Sequence, residues 1–110
     1  IKGKSIAGPT GPYLVTKDEI TDINNLNLSL DVNGERRQTG NTERMIFNFN
    51  FLISHISHFM TLYPGTIITT GTPAGTAMEM DMPKFLQVGD KLNLKVDQLG
   101  EQNHKVVNES

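Results

Sequence analysis

Residues 26–39, LNLSLDVNGERRQT, carry the fold. Leu26, Leu28, Leu30 and Val32 alternate with Asn27, Ser29 and Asp31. A period of two marks a strand with one buried and one wet face, because successive side chains leave a strand on opposite sides. Asn33-Gly34 follows at once. Both residues tolerate positive φ, which a two-residue hairpin turn demands, so the chain is expected to reverse there. Residues 35–39, ERRQT, are then the returning strand. They are polar on both faces, which suits an edge strand or a strand leading into a site. A second run of the same kind lies further on. Leu92, Leu94 and Val96 alternate with Lys91, Asn93, Lys95 and Asp97, Gly100 turns the chain, and residues 104–107 read as the hairpin partner.

Between these hairpins the period changes. Met45, Phe49, Leu52, Ile53, Ile56, Phe59 and Met60 fall at helical spacings and predict one principal helix with a wide apolar face. Asn41 or Thr42 would cap it, since a side-chain oxygen there satisfies an orphan N–H of the first turn. Tyr63-Pro64-Gly65 stops it. His55 and His58 are neighbours on such a helix. No carboxylate or third histidine lies within a turn or two, so a plain polar face accounts for them better than a metal pair. Near the start, residues 2–12, KGKSIAGPTGP, read as a loop in which Lys2 and Lys4 are, on the plainest account, solvated charges. Residues 13–16 read as a short strand. Thr16-Lys17-Asp18-Glu19 has the form of a capping box, which marks a helical turn. The inventory fits an α+β fold, mainly β. Too few helices alternate with strands for a βαβ array.

Bulk properties narrow the function. The chain has 110 residues, one domain's worth, with 36% hydrophobic and 20% charged residues. Its net charge of −2 makes no electrostatic case for nucleic acid or an anionic membrane surface. No apolar run reaches the length of a membrane span. The absence of cysteine removes disulfides, zinc–thiolate sites and Cys nucleophiles, and it fits a reducing, cytoplasmic setting. The chain opens at Ile1 within a Lys/Gly stretch, which reads as the interior of a longer polypeptide.

Residues 66–75, TIITTGTPAG, are the candidate site. Thr66, Ile67, Ile68, Thr69 and Thr70 are all β-branched, which suits a packed pleated surface. Gly71, Pro73 and Gly75 cannot continue a ladder. The expectation is a buried strand that opens into a tight loop presenting Thr hydroxyls and backbone N–H groups to a small ligand. An ordinary Gly/Pro turn after a core strand explains the same letters, and spacing alone leaves both open. Residues 76–84, TAMEMDMPK, read as a surface loop with adaptable Met contacts. Glu79 and Asp81 lack a framework that would make them ligands. Ser and His spacing does not make a triad, and GTPAG lacks the lysine of a phosphate loop.

Several collinear pieces resemble the C-terminal part of the fumarylacetoacetate hydrolase family. They are GPYLVTKDEI at 11–20, the NGExRQ pattern at 33–38, GNTERMIF at 40–47, HFMTLYPG at 58–65, TIITTGTPAG at 66–75 and FLQVGDKLNLKVDQLG at 85–100. TGTPAG alone would be weak; the ordered combination is specific and covers nearly the whole chain. The resemblance implies a mixed β-sandwich roll with one principal helix, in which residues 1–110 are the C-terminal portion of a single catalytic domain, usually homodimeric. It implies an enzyme that hydrolyses or decarboxylates C–C bonds of 2-oxo and 1,3-dicarbonyl acids, such as acylpyruvates, fumarylpyruvate or oxaloacetate, with Mg²⁺ or Mn²⁺. Cleaving a bond beside a carbonyl leaves an enolate, and a hard divalent ion with oxygen ligands stabilises that charge. Isomerase or tautomerase chemistry uses the same enolate and is the alternative within the family. A β-rich binding module without activity is the alternative outside it.

The resemblance places no metal ligand within this chain; the Glu-x-Glu and Asp set lies upstream. It does imply a catalytic lysine before the Gly-Pro dipeptide. The GKS context selects Lys4, whereas counting back from Pro9 selects Lys2, because the stretch is shorter than the family's. Thr72 would hold the substrate carboxylate, with Thr70 and Gly71 shaping the loop. Arg37, Gln38, Asn41 and Thr42 would support the site by orienting the groups that touch substrate.

Overall fold

The chain reverses at Asn33-Gly34, where φ is 53° and 81°, as the dipeptide predicts. In the computed structural model, which describes residues 8–108, strand β1 (Asn27–Val32) enters this turn and β2 (Glu35–Asn41) leaves it. Strands β3 (Lys91–Val96) and β4 (Gly100–Lys105) complete a four-stranded antiparallel sheet of order β2-β1-β3-β4. The architecture is α+β, mainly β. The lysines singled out above, Lys2 and Lys4, lie outside the described residues.

Register follows the apolar alternation. Leu28, Leu30 and Val32 sit opposite Val96, Leu94 and Leu92. Directly opposite residues share a face, so these six side chains form one apolar surface. Leu26 and Val32 are buried and most of the others are half-buried. Asn33 also ties the first hairpin to the second. Its N–H donates to Lys91 O (2.8 Å), its Oδ1 accepts from the Lys91 N–H (2.9 Å) and its Nδ2 donates to Asp90 Oδ1 (2.8 Å). On the wet face Asn93 Nδ2 donates to Asn103 Oδ1 (2.7 Å), and Lys95 pairs with Glu101 (3.2 Å).

The predicted helix forms over Phe49–Ser57 as α1, but neither expected residue caps it. Asn48 does, with its side chain accepting from Phe51 N (2.9 Å). Asn41 instead caps the 3-10 turn Thr42–Arg44, accepting from Glu43 N (2.9 Å). The reason is tertiary. The buried Thr42 hydroxyl donates to Ile23 O (2.8 Å) and accepts from Leu26 N (2.9 Å), so this segment follows the sheet before a helix can start. The apolar face of α1 is narrower than its sequence suggests. Phe49, Leu52 and Ile56 are half-buried, while Phe51, Ile53, Phe59 and Met60 are exposed.

Three further expectations are corrected. Residues 66–70 are not a buried strand: they are unpaired, and Ile67 is 72% exposed. β-Branching reports fitness for a pleated surface, but a ladder needs a second backbone, and no described strand runs beside them. Residues 13–16 are likewise unpaired. The 3-10 turn Lys17–Glu19 does form, yet the Thr16 hydroxyl makes no cap to a backbone N–H. The second hairpin returns sooner than predicted: Gln98 (φ 62°) carries the reversal and Gly100 (φ 87°) opens β4. No described helix is long and apolar enough to cross a membrane.

Candidate active site

The site begins with an irregularity in β2. Leu30 pairs with Gln38 and Asp31 with Arg36, which leaves Arg37 as an extra residue in a β-bulge. Bulges re-aim side chains. Here the shift places Gln38 opposite Leu30 and Gly40 opposite Leu28, on the apolar face. The loop of residues 71–75 packs against that part of β2. Two glycines allow the approach. A Cβ on Gly40 would meet Pro73 Cβ at 3.0 Å, and a Cβ on Gly75 would lie 2.2 Å from Arg37 O. Gly75 also has φ of 103°, a region that L side chains rarely enter.

Gln38 fixes the loop chemically. Its Nε2 donates to Pro73 O (2.7 Å) and to Thr72 Oγ1 (2.9 Å). A carbonyl oxygen only accepts, so the amide end that faces Pro73 O is the NH₂ group. The same nitrogen can then only donate to Thr72, whose oxygen accepts. The Thr72 hydroxyl proton is thereby left to donate elsewhere. The backbone N–H groups of Gly71 and Thr72 make no hydrogen bond among the described residues. Gly71 has the expected positive φ, 88°, with open space where a Cβ would be. The loop therefore offers a hydroxyl and two N–H donors, a set suited to a carboxylate or an oxyanion.

On the far side the loop is held by Glu79. Its carboxylate accepts from Gly75 N (2.7 Å) and Thr76 N (2.9 Å), forming a capping box with Thr76 over the 3-10 turn Ala77–Glu79. Hydrogen bonds from the Thr76 and Gly75 N–H groups hold the Glu79 carboxyl below its usual range. Thr76-x-x-Glu79 has the same letters as the box expected at Thr16, so this clamp was legible in the sequence.

The loop borders a cleft of about 570 Å³. Thr70, Gly71 and Thr72 line it together with Asn41 and Thr42 from the end of β2 and Phe49 and Leu52 from α1. The residues expected to support the site take separate parts. Gln38 reaches the loop directly. The Asn41 amide is committed to Asn25 (2.9 Å) and Asn27 (3.0 Å), and the Thr42 hydroxyl to backbone, so both brace the end of the sheet. Arg37 does not line the cleft; its Nη1 lies 3.6 Å from Met80 Sδ and its Nε 3.8 Å from Glu35 Oε1. The helical histidines make other contacts. His55 stacks on Phe51 with centroids 5.9 Å apart, and His58 Nδ1 lies 2.7 Å from Ser54 O. Among the described residues no group of three or more His, Cys, Asp or Glu could hold a metal ion.

Residues 1–107 match the sequence family described as fumarylacetoacetate (FAA) hydrolase C-terminal. The chain belongs to the fumarylacetoacetate hydrolase family. An uncharacterized protein of Staphylococcus aureus (strain USA300) is 50% identical over 99 residues, 88% of this chain and 33% of that protein. The chain thus spans about a third of the length of the curated relatives it matches. The fumarylacetoacetate hydrolase of psychrophilic Exiguobacterium antarcticum superposes with a TM-score of 0.88 at 36% identity, over 92% of this chain and 36% of its own. The maleylpyruvate hydrolase of Sphingobium sp. SYK-6, solved with manganese(II) and pyruvate, gives a TM-score of 0.81 at 35% identity, over 91% and 35%. Both of these relatives of known structure are named as hydrolases, and one of them carries manganese.

Proposed function

We propose that the protein containing this chain is a divalent-metal-dependent enzyme that cleaves a C–C bond of a 2-oxo acid, by hydrolysis or decarboxylation. Residues 70–72 hold the substrate's carboxylate, and the metal is held by residues other than those described. The observation that carries this reading is the Gln38 amide. By donating to both Thr72 Oγ1 and Pro73 O, it leaves the Thr72 hydroxyl proton directed away from Gln38, in a loop whose Gly71 and Thr72 N–H groups have no partner among the described residues. Three donors without a built-in acceptor call for an anionic ligand. The pyruvate in the Sphingobium relative, itself a 2-oxo acid, supports the substrate class, and its manganese supports the metal. A homodimer is proposed as well, with sedimentation of the natural polypeptide as its check.

The test is turnover of oxaloacetate and of acetylpyruvate by the natural polypeptide, with Mg²⁺ or Mn²⁺ and then with EDTA. Metal-dependent loss of either substrate, with pyruvate as product, is expected. An isomerised product in place of pyruvate would move the protein to the isomerases of the family. No conversion of any 2-oxo acid, with metal supplied, would overturn the proposal.

A further inference from the structure

We propose that Asn33 is a spontaneous deamidation site, guarded by Asp90 and Lys91, and that its conversion to aspartate or isoaspartate parts the first hairpin from the second. The reacting atoms lie in the Asn33-Gly34 turn. The attacking group is the Gly34 backbone nitrogen, and its target is the side-chain carbonyl carbon of Asn33, Cγ. Glycine puts no side chain beside that nitrogen. Open space surrounds the position where a Gly34 Cβ would stand, and the Gly34 N–H makes no hydrogen bond among the described residues. Both residues are exposed, so water and hydroxide reach them. Hydroxide takes the Gly34 N–H proton and the nitrogen bonds to Cγ. The bond from Cγ to the amide nitrogen breaks, and ammonia leaves after taking a proton from water. Water then opens the cyclic imide. Cleavage at Cγ leaves aspartate; cleavage at the main-chain carbonyl leaves isoaspartate, in which the chain runs through the side chain. An amide and water become an acid and ammonia, with no oxidant or cofactor.

The fold restrains this reaction. Asn33 Nδ2 donates to Asp90 Oδ1 (2.8 Å), and Asn33 Oδ1 accepts from the Lys91 N–H (2.9 Å). The two bonds fix the plane of the amide, so Cγ meets the Gly34 nitrogen only when the joint between the hairpins opens. Hydrogen bonds from the Gln87 N–H and then from the Asn33 amide hold the Asp90 carboxyl below its usual range, which keeps it an ionised acceptor. Once the amide has become an acid, the joint does not re-form as it was. A carboxylate has no proton for Asp90, and two like charges stand where a 2.8 Å hydrogen bond was. Isoaspartate also adds a backbone carbon to the turn whose geometry sets the register of β1 against β2. The modification therefore records time spent with the hairpins apart, and its product favours that open state.

The test incubates the natural polypeptide in mildly alkaline buffer, maps its peptides by mass and assays isoaspartate enzymatically. Acid and isoaspartate at Asn33 are expected, with faster conversion in the urea-unfolded polypeptide than in the folded one. Asp90→Ala removes one of the two restraints on the amide and should speed conversion in the folded protein about fivefold, the scale of one hydrogen bond. Asp90→Asn leaves one acceptor oxygen for the two donors that Asp90 serves, Asn33 Nδ2 and the Gln87 N–H, and should speed it as well. That variant decides the point if Asp90→Ala does not fold. Asn33→Asp supplies one product directly and should melt below the parent. The proposal is overturned by an absence of acid at Asn33 in the folded polypeptide, by equal rates in the folded and unfolded forms, by an unchanged rate in the folded Asp90 variants, or by an Asn33→Asp protein as stable as the parent.

Discussion

Replacing Gln38 by Glu tests the loop chemistry most directly, because it changes one nitrogen to oxygen at the point where two acceptors converge. The amide donates at 2.7 Å to Pro73 O and at 2.9 Å to Thr72 Oγ1. A carboxylate can donate to neither. The hydrogen bond to Pro73 O is lost, at about 1 kcal/mol. The Thr72 hydroxyl then turns its proton toward the new carboxylate and is no longer a donor for substrate. A substrate carboxylate held at Thr72 would also face a like charge roughly 5 Å away, which at an effective dielectric near 20 costs about 3 kcal/mol. Together these place the loss in kcat/KM for oxaloacetate or acetylpyruvate at about a hundredfold or more near neutral pH. Gln38→Met keeps the length and removes only the hydrogen bonds, so about a tenfold loss is expected. Steady-state kinetics against pH separates the two. The Gln38→Glu enzyme should regain activity relative to the parent as pH falls and the introduced carboxyl protonates, whereas Gln38→Met should show no such recovery. A Gln38→Glu enzyme within about threefold of the parent at neutral pH would refute the reasoning.

Thr72→Val preserves shape and removes the hydroxyl donor, so kcat/KM should fall about tenfold to a hundredfold with little change in melting temperature; full activity would remove Thr72 from the site. Gly75→Ala puts a Cβ 2.2 Å from Arg37 O at a φ of 103°, and chemical denaturation should register a loss of more than about 2 kcal/mol. Stability equal to the parent's would mean that the loop does not pack there. The Glu79 carboxyl is held below its ordinary value of 4.5 by the Thr76 and Gly75 N–H groups. Its contribution is therefore full above that value and lost as pH falls through the lowered one. The gap in melting temperature between the parent and Glu79→Gln should accordingly be open near neutral pH and shrink as the pH falls below 4.5 and through the lowered value. A gap that does not vary with pH would show that the capping carboxylate adds nothing to the folded state.

The sequence by itself determined what neighbours decide. Alternation at Leu26, Leu28, Leu30 and Val32 and the Asn33-Gly34 dipeptide specify a hairpin because face and turn depend only on local geometry. Helical spacing around Phe49, Leu52 and Ile56 and the positive φ at Gly71 were legible for the same reason. The ordered motifs from Gly11 to Gly100 carried the family. Tertiary structure decided the rest, because each remaining feature joins groups distant along the chain. Residues 66–70 have strand letters but pair with no strand among the described residues. Asn41 and Thr42 look like helix caps, yet the Thr42 hydroxyl is taken by Ile23 and Leu26. The bulge at Arg37 turns Gln38 toward a loop 34 residues away, and that one contact sets the direction in which Thr72 offers its proton. Local propensity cannot encode such a meeting; only the packing of the loop against β2, through Gly40 and Gly75, brings it about.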